Sequence, residues 1–297
     1  MNRSPGVVVA LLLAPTGPSL TGQSLHYEGG LSMSSGYYIY TERTTSWMLT
    51  NGLALGAGPF TIRAMLPVFR QNSSMVTVSS AGPIPIGGSG TDPESDGGRG
   101  GSHGTPQIVG SYALTAPTES SSVDTGELLT SVSGYQMAVG DPTASLNLAV
   151  YQGGSIGFSM NVGTKAPVTG LTGFGTGQWD FGGSVSLSHR IGFSGLLSLD
   201  VGYWHLGDLP DFDLRDPVLA SLNLARLSVG GWALGVSASA ATAVVQGYPN
   251  AYQIGASVNR VGRGGTFGVN FAVGLTETTP DLTVGLNWRI GLTRPRW

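Results

Sequence analysis

The sequence predicts an all-β protein, a transmembrane antiparallel up-and-down β-barrel of about twelve strands. Three observations carry this reading. The first is period-two alternation. Ile156, Phe158, Met160 and Val162 alternate with Ser155, Gly157, Ser159, Asn161 and Gly163, and Leu197, Leu199, Val201 and Tyr203 alternate with Ser198, Asp200, Gly202 and Trp204. Successive side chains of a strand point to opposite faces, so such a segment has one apolar and one polar face. A soluble sandwich alternates too, but its polar face meets bulk water and usually carries Lys and Glu. Here that face is Gly, Ser and Asn, which suits a confined wet lumen inside an apolar exterior. The second observation is composition. Only 10% of the 297 residues are charged and 48 are Gly, with mean hydropathy +0.13, whereas ordinary soluble domains are roughly a quarter charged. The third is rhythm: turns of two to four residues alternate with longer loops along the chain.

The elements follow in order. Residues 7–14 form the only dense apolar run and follow Arg3. A membrane-spanning helix needs about 20 residues, so the run reads as part of a signal peptide over 1–23, with the barrel over 24–297. Strands are expected at 25–40, 47–55 and 60–69. Pro67 falls inside the third, and because proline lacks a ladder donor it marks a strand end or bulge. Further strands are expected at 143–151, 155–165, 179–190, 193–206, 217–227, 232–245, 252–260, 266–275 and 282–292. Twelve strands, short turns on one side and long loops on the other place both termini in the periplasm, as outer-membrane barrels require. In the last strand Leu282, Val284, Leu286, Trp288 and Ile290 point outward. Gly285, Trp288 and Ile290 are spaced like the C-terminal signal read by the barrel assembly machinery. That machinery and the outer-membrane lipid bilayer are therefore expected partners.

Residues 70–139 interrupt the rhythm. Their centre, IPIGGSGTDPESDGGRGGSHG, is turn-rich and of low complexity. The segment reads as one long outer loop. Its apolar flanks, 108–114 and 128–139, are expected to pack into the barrel mouth as an ordered base, with a mobile tip at 87–104.

Motifs for chemistry are weak. There is no Cys, which excludes disulfides and thiol catalysis. Gly173, Gly175 and Gly177 resemble a phosphate loop, but a strand follows where a helix N-terminus is needed. Asp208, Asp211, Asp213 and Asp216 have oxygen-ligand spacing but lack the glycine and final glutamate of a calcium loop, and read as solvated loop charges. His189 and Ser188 point to opposite sides of one strand, so they cannot pair as a hydrolase dyad. No enzyme activity, cofactor or metal is expected, and a net charge of −3 without a basic patch argues against nucleic acid. Trp47, Trp179, Trp232, Trp288, Tyr203, Tyr248 and Tyr252 fall near strand ends, as an interfacial girdle would. Parity places Asn161, Asp180, Asp200, Trp204, Asn223, Asn259, Asn270, Asn287 and Arg289 on the lumen face, and these are the candidate lining residues.

Gly140-Asp141, the stretch Lys165-Ala-Pro-Val-Thr-Gly170, the stretch Gly173-Phe-Gly-Thr-Gly-Gln-Trp-Asp180, Gly202-Tyr203 and Leu206-Gly207-Asp208 resemble the outer-membrane family named for the meta-pathway of phenol degradation. That family is similar to the fatty-acid and aromatic-hydrocarbon channels of Gram-negative bacteria. The resemblance is plainest over 140–208. It implies a passive channel for small, hydrophobic or aromatic solutes. The long hydrocarbon channels carry an N-terminal plug, whereas here the first strand follows almost directly on the signal, so a plugged mechanism is not implied. The alternative expectation is a structural or surface-interaction barrel without transport.

Overall fold

The computed structural model describes residues 23–40, 43–72, 76–85, 135–168, 176–208 and 214–292. Twelve long antiparallel staves close on themselves. They are β1 (Ser24–Gly36), β2 (Thr44–Ala57), β3 (Phe60–Gln71), the split stave of β6 (Gln136–Val139) and β7 (Thr143–Gly153), β8 (Ile156–Lys165), β9 (Asp180–Ile191), β10 (Gly195–His205), β11 (Val218–Leu227), β12 (Trp232–Ala241), β13 (Ala251–Gly262), β14 (Gly265–Gly274) and β15 (Leu282–Gly291). Each pairs with the next, and β1 pairs with β15 from His26–Gly291 to Ser35–Leu282 to close the ring. Two short strands, β4 (Thr77–Ser79) and β5 (Gly82–Ile84), form a hairpin of their own that is not part of the wall.

Closure follows from the solvent. Lipid offers no hydrogen bonds, so each stave must pair on both edges. The exposed surface shows which solvent that is. Leu53, Ile62, Val162, Leu187, Leu199, Leu222, Val236, Ile254 and Phe271 all stand exposed on the outer face, whereas among the described residues the buried apolar ones are few: Tyr38, Ala54, Phe69, Val76, Ile84, Leu206, Leu214 and Val245. A water-soluble monomer does not expose a continuous apolar belt of this extent. Trp47, Trp179, Trp232, Tyr203 and Tyr252 stand exposed at stave ends, as a girdle does. Trp179 and Phe181 stack there with ring centroids 5.7 Å apart.

Pro67 lies where β3 changes partner. Residues 60–65 of β3 pair with β7, Val68–Gln71 pair with β6, and between them the Gly140 N–H donates to the Pro67 carbonyl at 2.8 Å. The proline interrupts the ladder at the break in the neighbouring stave.

The 70–139 segment differs from expectation. Residues 87–104 and 108–114 lie outside the described residues. The described end of the 128–139 flank is β6, part of the wall, rather than a plug in the mouth. The piece that enters the barrel is instead 76–85, the β4–β5 hairpin. Its alternation is too short to register as a strand, and its burial depends on partners distant in sequence.

The face assignment is directly testable. Leu199 faces lipid and its neighbour Ser198 faces the lumen between Ser188 and Asn223. Leu199→Arg should lower barrel stability by about 2–4 kcal/mol, the cost of a charge near mid-membrane, while Ser198→Arg should be tolerated. Refolding yields on a heat-modifiability gel should separate the two variants.

Candidate functional site, a divided lumen with a buried ion cluster

The only lysine in the chain is the centre of the site. Lys165 ends β8, directly across from Asp180 at the start of β9, while Asp141 occupies the break between β6 and β7. The Lys165 Nζ lies 3.3 Å from Asp180 Oδ2 and 3.4 Å from Asp141 Oδ2, and all three side chains are almost wholly excluded from solvent. Nζ also donates to Thr176 Oγ1 at 2.5 Å. Asp180 accepts two further bonds from the backbone. Ser80 N–H, at the tip of the inward hairpin, donates to Oδ2 at 3.0 Å, and Gly207 N–H, after β10, donates to Oδ1 at 3.2 Å. One carboxylate thus ties together the wall, the hairpin and the loop after β10. Two hydrogen bonds help fix the hairpin's first arm: Ser46 Oγ donates to Gln71 Oε1 at 2.5 Å, and Gln71 Nε2 donates to the Val76 carbonyl at 2.9 Å. Its other arm inserts Ile84 into an apolar cluster with Leu206, Leu214 and Val245.

The hairpin divides the lumen. Towards β1–β3 lies a cavity of about 310 Å³ bordered by Tyr38, Met48, Met65, Phe69, Val78 and Pro83. Burial pushes the Tyr38 phenol up to about 12, with the hydrogen bond to Ser34 opposing that shift, so it remains a neutral group through the physiological range. Towards β9–β13 lies a second cavity of about 300 Å³, bordered by Asp200, Trp204, Leu219, Gln253, Ala81 and Pro83. Pro83 borders both. The Trp204 indole lies over Gly182 on the neighbouring β9 and reaches Gly163 on β8 beyond it, and a Cβ on Gly182 would run into the ring. Glycine is therefore needed at 182 for close approach.

The sequence-derived lining residues separate into groups. Asp200 is on the wall of the second cavity, where it accepts from the hydroxyl of Ser186, from Ser221 Oγ at 3.2 Å and from Asn223 Nδ2 at 3.4 Å. Trp204 borders the same cavity. Asn259 and Asn287 lean over Gly268 from opposite sides, and Asn270 leans over Gly285. Asn161 shares the lumen face between Asn147 and Ser184. Arg289 pairs with Glu28 at 2.9 Å, and Glu28 also pairs with Arg63 at 3.2 Å, near the short-turn rim. Asp180 differs from the expectation: it has no exposed surface because it belongs to the ion cluster and not to the open wall. Asp141, Lys165 and Thr176 were not among the lining candidates. The signal that could have found them is that these residues lie within the first three of the motifs quoted above.

Of the loop aspartates, Asp208 accepts the Leu214 amide at 2.9 Å, and 211 and 213 lie outside the described residues. Asp216 accepts from Tyr203 Oη at 2.6 Å, lies 3.1 Å from His205 Nδ1 and takes the Leu206 amide at 3.0 Å. Ser188 donates to the Gly157 carbonyl, away from His189. The glycines at 170, 173 and 175 lie outside the described residues.

No family model matches the chain, and no curated protein matches it by sequence. Solved structures do. The chain is similar to the COG4313 outer membrane channel from Pseudomonas putida F1, with a TM-score of 0.61 and 12% identity over 93% of this chain and 99% of that one. It aligns less well with the CymD monoaromatic hydrocarbon channel, TM-score 0.47 and 9% identity, covering 92% of this chain and 90% of that one. For the KdgM porin in complex with disordered oligogalacturonate the TM-score is 0.46 with 4% identity, covering 91% and 99%. The first likeness establishes a shared fold. This chain is an outer-membrane β-barrel.

Two predictions come from this geometry. Lys165→Met leaves two buried carboxylates without their cation, and should destabilise the barrel by about 3–5 kcal/mol. Adding Asp141→Asn and Asp180→Asn to it should recover much of that loss in the thermal midpoint on a heat-modifiability gel. The second concerns pH. Burial raises the Asp216 carboxyl, but hydrogen bonds from Tyr203, His205 and the Leu206 amide outweigh it and hold the group below its ordinary range. A carboxyl depressed on folding stabilises above the unfolded value, about 3.9, and that contribution is lost as pH falls through the lower folded value. The protection factor of the Leu206 amide in hydrogen exchange should drop in that acid window, and Asp216→Asn should abolish the drop.

Proposed function

We propose that this barrel is a passive outer-membrane channel for small solutes, its aperture set by the 76–85 hairpin. The observation that carries the reading is the divided lumen: two cavities of about 300 Å³, each at the low end of the range for small-ligand sites, meet at Pro83. The cavity beside β1–β3 combines Met48, Met65, Phe69, Val76 and Val78 with Ser32, Ser34, Ser46 and Thr50. Such a lining accommodates a small apolar or aromatic body with one polar group. This agrees with the resemblance of the 140–208 motifs to the phenol meta-pathway family and its uptake of hydrophobic or aromatic compounds. Transport is diffusion down a gradient and needs no cofactor. Export through a signal peptide over 1–23 and insertion by the barrel assembly machinery, reading the 282–292 strand, complete the proposal.

The same hairpin supports a second reading. Held by Asp180 and the Ile84 cluster, it would fill the lumen of a structural barrel without transport. Planar-bilayer recording distinguishes the two. A channel gives discrete unitary steps, and removing 76–85 enlarges them. A folded barrel that stays silent with the hairpin intact, and is unchanged by its removal, overturns the channel reading.

A further inference from the structure

Asp200 has a geometry that general wall chemistry does not account for. It sits mid-stave on β10 and borders the cavity beside β9–β13. Its Oδ1 accepts from Ser186, and its Oδ2 accepts from Ser221 and Asn223. A carboxylate offers about four acceptor positions, so these three neutral donors orient it and leave one position on Oδ1 open. Among the described residues no cation pairs with it. Lys165 is enclosed with its own two carboxylates. Arg63 and Arg289 are engaged by Glu28 near the short-turn rim, and neither borders this cavity. Among the described residues the remaining boundary is neutral and Asp200 is its only charged side chain: Ser239 and Gln253 continue the same row along β12 and β13, with Thr278, and Ala81 and Pro83 come from the hairpin.

On the same face, four residues along, the Trp204 indole borders the same space. An aromatic face attracts a cation within about 6 Å. A fixed anion with one open acceptor position and an indole thus share a cavity of about 300 Å³, with no opposing cation among the described residues.

We propose that this cavity is a binding site for a small organic monocation, an ammonium group on a compact apolar body, with Asp200 taking the ammonium. The inference rests on the channel reading for its role in permeation and not for the site itself. Asp200 orients and selects, excluding anions of the same size by like-charge repulsion in a partly desolvated space.

The test uses the full chain with benzylammonium chloride and sodium benzoate as probes of matched size. Calorimetry on the detergent-folded barrel should show binding of benzylammonium and not of benzoate. Asp200→Asn keeps the side-chain shape, and losing the charge-assisted contact should weaken binding by about tenfold or more. Asp216→Asn, outside the lumen, should leave binding unchanged. In planar bilayers under a KCl gradient, the reversal potential of the wild type should lie toward that of K⁺ and move toward zero in Asp200→Asn. A heat-modifiability gel checks that both variants fold. Equal binding of the two probes, or benzylammonium binding unaltered by Asp200→Asn, overturns the site. A barrel that binds benzylammonium through Asp200 yet carries no current keeps the site and sinks the channel reading. A barrel that conducts but binds the two probes equally keeps the channel reading and sinks the site.

Discussion

Backbone groups in hydrocarbon have no water to pair with, and this constraint sets the architecture. Every N–H and C=O in the wall must find a partner in the adjacent stave, which requires the β1–β15 pairing that closes the ring. The side chains then sort themselves by the solvent on each side. Leucines, valines and phenylalanines remain exposed because lipid surrounds them, and the described residues form almost no conventional core. What apolar burial exists is concentrated where long connections fold inward, around Ile84, Leu206, Leu214 and Val245.

Against that background the Lys165 cluster is unusual. Burying an ammonium with two carboxylates carries a desolvation cost that mutual attraction recovers only with good geometry and further hydrogen bonds. Thr176, the Ser80 amide and the Gly207 amide supply those bonds. The arrangement is better understood as positioning than as a source of net stability. Asp180 is the point at which a hairpin, a stave and a loop are held in one register, and a neutral side chain there would offer fewer directional contacts. Trp204 adds a steric counterpart, resting on the glycine floor of Gly163 and Gly182 two pairs along the ladder from the ion cluster.

The lumen has two chemical characters as a result. On the β1–β3 side the hairpin faces methionine, phenylalanine and tyrosine among hydroxyls. On the β9–β13 side it faces an oriented carboxylate, an indole and small neutral residues. Both compartments depend on the same ten residues, 76–85, staying where the cluster places them. On the channel reading proposed above, aperture and selectivity are coupled through Asp180, although Asp180 has no exposed surface.

The sequence by itself determined the barrel, the twelve-stave count and the alternation of short and long connections. All of these depend on period-two patterning, which is local and repeated along each strand. It also marked Pro67 as a ladder break, because a missing donor is a property of one residue. Three things depended on tertiary structure. Asp141, Lys165 and Asp180 lie up to 39 residues apart, and only the lateral pairing of staves brings their charges into contact. The 76–85 hairpin has three-residue strands, too short to show a period, and is held by Gln71, Asp180 and Leu206 from other parts of the chain. Asp180 has the parity of a lumen residue. Its burial was decided by what folded over it, since parity gives the direction of a side chain and not what covers it.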